Sequence, residues 1–222
     1  MAASSGTAIH NTVEDLCNLD ISDRDEGEMG WLHSTAREAL ERNWKAERQE
    51  FLGTQRHPRW KSEMFSKAHD GLIGALGFLF EKAGLSKREL SEVSIQSWRQ
   101  VQDIVLETEA TLESDCGRMM GRLDRLLLEP SAGEGEGGWI VADLKTGRPP
   151  RSGLDEKVRR QLLFYRDLAK QRSPEQNSIT AEGWYSSNEK IYVAHGPSIL
   201  EEAIDAWGSM KVTEEPFQAT PS

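Results

Sequence analysis

Cysteine is scarce in this chain. Cys17 and Cys116 are the only two among 222 residues. They are too few for a disulfide framework and lack the spacing of a zinc site, which points to a reducing interior. Long apolar runs are missing as well. No stretch is long enough to span a membrane and no signal peptide is evident, so the expectation is a cytoplasmic protein with no membrane partner. There is also no excess of positive charge. With 27 Lys and Arg against 37 Asp and Glu, the net charge is -10, which at first sight argues against a nucleic-acid partner, although the distribution of charge matters more than its total. What is present is 37% hydrophobic content and seven tryptophans, enough for one substantial core. The expectation is a polar segment over residues 1–25, partly disordered, followed by a single domain over residues 26–222.

The most informative stretch runs from Gly121 to Tyr165. Two apolar runs, Met119 to Leu128 and Trp139 to Leu144, flank a Gly- and Glu-rich connection, the pattern of two strands joined by a loop. Each run is interrupted by an acid, Asp124 in the first and Asp143 in the second. Because side chains alternate along a strand, Asp143 and Lys145 project from one face and Leu144 from the other. Carboxylates converging from neighbouring strands suit a hard, oxygen-seeking cation. A lysine beside them suits the orientation of a water or the offset of charge on a phosphoryl group. Beyond the turn at Thr146-Gly147, residues 153–171 read as a helix with Gln161 and Tyr165 one turn apart on one face. The connection SAGEGEGG is no phosphate cradle, since no Lys-Ser or Lys-Thr follows and its two glutamates repel phosphate.

In series, GRLDR, ADLKTG and QLLFY resemble the motifs of the PD-(D/E)xK nucleases, most closely those of the RecB-like exonuclease branch. Three motifs in order are more specific than any one alone. The resemblance implies an α/β fold with a restriction-endonuclease-like core, a mixed central β-sheet flanked by helices. It implies a Mg2+- or Mn2+-dependent deoxyribonuclease acting in DNA repair, recombination or defence. By the same resemblance Asp124 and Asp143 are the metal-binding acids, Lys145 is the catalytic lysine, and the backbone carbonyl of Leu144 is a further metal ligand. Gln161 and Tyr165 match positions that help place the strand, and the nearby basic residues Arg125 and Arg148 are expected to hold it with them. The branch carries a histidine at the start of an N-terminal helix, and Gly30-Trp31-Leu32-His33 before a long amphipathic helix offers His33 as that ligand. A histidine at a helix start is otherwise more often a surface or capping residue. Some relatives bind an iron-sulfur cluster through one N-terminal and three C-terminal cysteines; the C-terminal three are missing here, so no cluster is expected and Cys17 reads as a plain thiol. The expected partners are DNA, single-stranded or with free ends, and a helicase or other subunit of a nuclease complex. The alternative is a non-catalytic nucleic-acid-binding subunit that keeps the fold.

The remaining elements follow from periodicity. Apolar spacing predicts helices over residues 31–52 and 60–82, the second with glycines at 71, 74 and 77 that suggest close packing. A short helical turn is expected over 86–93, a strand over 101–112, strands over 179–185 and 190–194, and a closing helix over 198–210. Glu107 and Glu109 share a strand face, where a solvated role is the commoner one and a supporting role beside Asp124 is the other. His10, His57, His69 and His195 show no partnering pattern. From Lys145 to Arg172 nine basic residues stand against three acids, a track suited to a phosphate backbone or an ordinary solvated helix face.

Overall fold

The computed structural model describes residues 2–54, 60–86, 89–129 and 137–209. The glycine-rich connection over 130–136 and the closing EEPFQATPS lie outside them. Five strands form one mixed sheet in the order β1 (Val105–Glu113), β2 (Met120–Glu129), β3 (Gly138–Lys145), β4 (Ile179–Tyr185) and β5 (Lys190–Val193). All neighbours pair antiparallel except β3 and β4, which run parallel. A parallel pair needs a crossover, and the intervening helix Glu156–Arg172 (α5) supplies it. Four helices precede the sheet, α1 (Ala2–Cys17), α2 (Trp31–Leu52), α3 (Met64–Lys82) and α4 (Ile95–Ile104), and α6 (Leu200–Ser209) closes the described chain. No helix of the described residues is long and apolar enough to cross a membrane.

Two layers of core sandwich the sheet. Residues of α1 to α4 pack with Leu127, Ile140, Ala142, Leu144 and Trp184; on the other side Leu168 and Tyr165 of α5 pack with Leu123, Leu126 and Val141. This is the expected mixed sheet flanked by helices. Gly74 shows why α3 tolerates its glycines. A Cβ there would lie 2.5 Å from the Ser186 carbonyl oxygen, so only glycine lets α3 approach the turn after β4.

The N-terminal segment departs from expectation. Instead of being partly disordered, residues 2–17 form α1, which buries Ala8, Ile9, Val13 and Leu16 in the same core as α2 and α3. Its carbonyl end is satisfied from α4: Trp98 Nε1 donates to the Leu16 oxygen (3.2 Å) and Gln102 Nε2 to those of Cys17 (3.0 Å) and Leu19 (2.8 Å). Orphan carbonyls at a helix end need such donors, and here they fix where α1 sits.

The expected strand over 101–112 begins later. Ser94 caps α4 by accepting from the Ser97 N–H (3.1 Å), and Ile95, Trp98, Val101 and Ile104 are buried at helical spacing. That period outweighs the β-branched content of the stretch, so the strand starts at Val105. Likewise the turn expected over 86–93 is a 3-10 turn at Leu90–Glu92. Because α1 is core and not appendage, Leu16→Ala should cost about 2–4 kcal/mol of stability in urea unfolding. A loss below about 0.5 kcal/mol, the level of a surface change, would contradict its docking.

Candidate metal and active site

The site begins where a ladder stops. Strands β2 and β3 pair from Glu129 opposite Gly138 as far as Arg125 opposite Ala142. The next residue on each strand is an acid, Asp124 and Asp143. Beyond them β2 stays with β1 while β3 stays with β4 as far as Lys145 opposite Tyr185, so the sheet forks. A backbone N–H at such a fork has lost its ladder acceptor and must find another. That of Leu144 donates to Asp124 Oδ2 at 2.5 Å. Asp124 is thereby held by the strand it no longer pairs with.

Helix α1 enters the fork with His10, whose Nδ1 lies 3.4 Å from the same Asp124 oxygen. Opposite Asp124 on β1 is Glu109, flanked by the pairs Thr108 with Arg125 and Ala110 with Leu123. Glu109 has φ of 51°, a left-handed conformation that costs an L residue on the order of 1 kcal/mol. One ligand-capable atom each of His10, Glu109 and Asp124 lies within 4.8 Å of the others. A nitrogen and carboxylate oxygens at this spacing fit a divalent cation of the magnesium or manganese type. Together they line a cavity of about 470 Å3 between α1 and strands β1 and β2.

Asp143 and Lys145 share a face, as expected. Lys145 Nζ lies 2.5 Å from Asp143 Oδ2 as an ion pair. The same ammonium donates to Gln161 Oε1 (3.2 Å), and Gln161 Nε2 donates to the Tyr165 hydroxyl (2.9 Å). Gln161 and Tyr165, one turn apart on α5, therefore brace the lysine. Gly121 makes room for them, since a Cβ there would lie 2.7 Å from the Tyr165 ring.

Burial and like charge set the protonation of the fork. Burial pushes the Asp143 carboxyl up to about 6, and the neighbouring Asp124 charge adds to the shift despite Lys145. Burial also opposes ionisation of Asp124, yet its hydrogen bond and charge partner His10, with Arg125 and the Leu144 N–H, hold it below its usual value. For His10 burial is outweighed by the hydrogen bond and charge of Asp124, and its value is raised. Lys145 is raised too, its desolvation being outweighed by Asp143.

Several expected site residues lie elsewhere. His33 is exposed near the start of α2, outside the cluster of ligand atoms, because the buried face of that helix is built from Trp31, Leu32, Ala36 and Leu40. The histidine beside Asp124 is His10. The signal in the sequence was weak: only the helical spacing of Ala8, Ile9, Val13 and Leu16 around His10 marks it as part of a docked helix. Arg125 is not open to a strand. It is 2% exposed and stands opposite Ala142, which lies in the α1–α4 core, and its positive charge is felt by the buried Cys17 thiol. It acts on the site as a buried positive charge. The two glutamates of β1 separate as well: Glu109 joins the cluster, whereas Glu107 pairs with Arg172. Arg148 is exposed after the turn that follows β3.

The basic track is mostly spent on structure. Arg159 pairs with Glu156, Arg160 with Glu202 and Arg166 with Asp167. Lys170 donates to the carbonyls of Pro174 and Gln176.

The family model described as the PD-(D/E)XK nuclease superfamily matches residues 1–216, a span that includes His10, Asp124, Asp143 and Lys145. No curated protein gives a significant match.

The fork's electrostatics generate a test on the metal-free protein. Asp143 and His10 both hold their protons more tightly when folded. Stability from His10 is therefore full below its unfolded value of 6.5 and is lost as pH rises through the raised folded value. Ionised Asp143 is a cost above about 6 that is relieved as pH falls towards 3.8, so its contribution has the same slope. Metal-free protein should gain stability from pH 8 to pH 5. Asp143→Asn should raise the melting temperature at pH 8 and flatten the slope, by up to about 3 kcal/mol. An Asn variant that melts lower at pH 8 with an unchanged slope would contradict this.

Proposed function

The chain belongs to the PD-(D/E)XK nuclease superfamily, and from that membership together with the forked sheet we propose that it is a divalent-cation-dependent deoxyribonuclease of the RecB-like type. The reading extends to an exonuclease that takes single-stranded DNA or free ends, in repair, recombination or defence, alongside a helicase or other nuclease subunit. The observation that carries it is the group of His10, Glu109 and Asp124 ligand atoms, set beside the Asp143–Lys145 ion pair where β2 and β3 separate.

A buried acid beside a half-buried one fits a cation, because without one they share the fork at the cost seen in the raised Asp143 carboxyl. His10, Asp124 and Asp143 would hold Mg2+ or Mn2+, with the Leu144 carbonyl and Glu109 as further oxygen donors. When bound, such an ion polarises a phosphate oxygen and lowers the pKa of a coordinated water. Lys145 keeps its proton beside ionised Asp143, so it works as a donor and not as a base. Braced by Gln161, its ammonium orients the attacking water and offsets the charge growing on the phosphoryl oxygens. The complete acid, acid and lysine set is what a non-catalytic binding subunit would have no need to keep.

Two variants separate the roles. Lys145→Met should retain manganese binding by calorimetry while cleavage falls by about 100-fold or more; loss of manganese binding would remove its separate role. His10→Ala should weaken manganese binding at least about tenfold and His33→Ala should leave it unchanged. The opposite pattern would return the ligand to α2.

A further inference from the structure

Two cavities flank the end of β3, on opposite sides of it in the order of the sheet. The one against β1 and β2 carries Glu14, Glu109 and Asp124, and its arginine, Arg122, is held 2.8 Å from Glu109. It therefore offers no uncommitted cation to a phosphate. The other, about 430 Å3, lies between the turn over 148–155, the start of α5 and β4, and is lined by Arg148, Arg151, Asp155 and Tyr185. Tyr185 is the register partner of Lys145, so this cavity lies one strand away from the lysine.

Both arginines there are exposed, and among the described residues neither has an ion pair or hydrogen bond. That sets them apart from Arg159, Arg160, Arg166 and Arg172, all of which are paired. The acid in the cavity wall is already engaged, since Asp155 accepts from the Lys157 N–H (2.9 Å) as the cap of α5. Leu154 and Val158 add apolar surface. Two free guanidiniums beside a tyrosine make a cradle for a phosphodiester, whose two non-bridging oxygens Arg binds bidentately.

We propose that the Arg148–Arg151 cavity is a subsite for a non-scissile phosphate of the substrate DNA strand, so that the strand is gripped on the β4 side of the scissile bond and not on the acidic α1 side. The proposal rests on the nuclease reading above. A one-sided grip is what a strand with a free end requires, because only a short product has to occupy the far cavity.

The test uses full-length Asp143→Asn as a non-cleaving parent and a short fluorescein-labelled single-stranded DNA, with anisotropy measured over a salt series in magnesium. Adding Arg148→Ala and Arg151→Ala should weaken binding at least about tenfold and flatten the salt dependence by about 0.7 for each phosphate left without its arginine. In the cleaving background the same pair should raise KM more than it lowers kcat. Arg37→Ala with Arg48→Ala, an equal change of charge on α2, should leave both unchanged. Equal affinity and salt slope for parent and double variant would overturn the subsite while leaving the nuclease reading intact. A parent that binds no DNA at the lowest salt would overturn both.

Discussion

Everything at this site depends on one interruption in the sheet. If β2 and β3 stayed paired beyond Arg125 and Ala142, Leu144 would find a backbone acceptor and Asp124 would have no role between the strands. Because they part, the Asp124 carboxylate takes over as acceptor for Leu144, and Asp143 is left facing the gap. The fork makes room for α1, and α1 brings the histidine. The continued pairing of β3 with β4 keeps Lys145 in register with Tyr185 and within reach of α5. One broken ladder step thus brings together side chains from three strands and two helices.

The arrangement is electrostatically expensive when no cation is bound. Asp143 is buried beside a second acid, and Lys145 only partly offsets it. The chain meets that cost with supports that are themselves buried or braced: Arg125 beneath the sheet, the Gln161 and Tyr165 relay and the His10 contact. Such concentrated charge in an otherwise apolar core is typical of sites where function outweighs stability. It also explains how an acidic protein can act on a polyanion, since the local field at β3 is set by a few committed groups and not by the net charge of -10.

The chemistry of the two strands was legible because it is local. An acid interrupting each apolar run, a lysine two residues after the second, and a Gln and Tyr at helical spacing all follow from period and residue type; the structure links Asp143, Lys145, Gln161 and Tyr165 in one chain of contacts, while Asp124 groups with His10 and Glu109. His10 was not legible. It lies more than 100 residues from Asp124 in sequence, and only the docking of α1 under Trp98 and Gln102 places it at the fork. His33 was favoured by the long amphipathic helix that follows it, but helix periodicity says which face is buried and not what the first turn approaches. Arg125 misled for a related reason: beside an acid it reads as a surface cation, whereas cross-strand register places it opposite buried Ala142. The basic track overcounted because pairings such as Arg160 with Glu202 and Arg172 with Glu107 are long-range and invisible along the chain.

Cation-dependent cleavage at the fork is the decisive property. The most direct measurement incubates end-labelled linear DNA and a closed circle with magnesium, manganese or EDTA, using the wild-type chain and Asp143→Ala. A nuclease site at the fork should consume the linear substrate only with wild type and a divalent cation, and the circle should survive. Equal cleavage by Asp143→Ala, or none by wild type with either metal, would refute it.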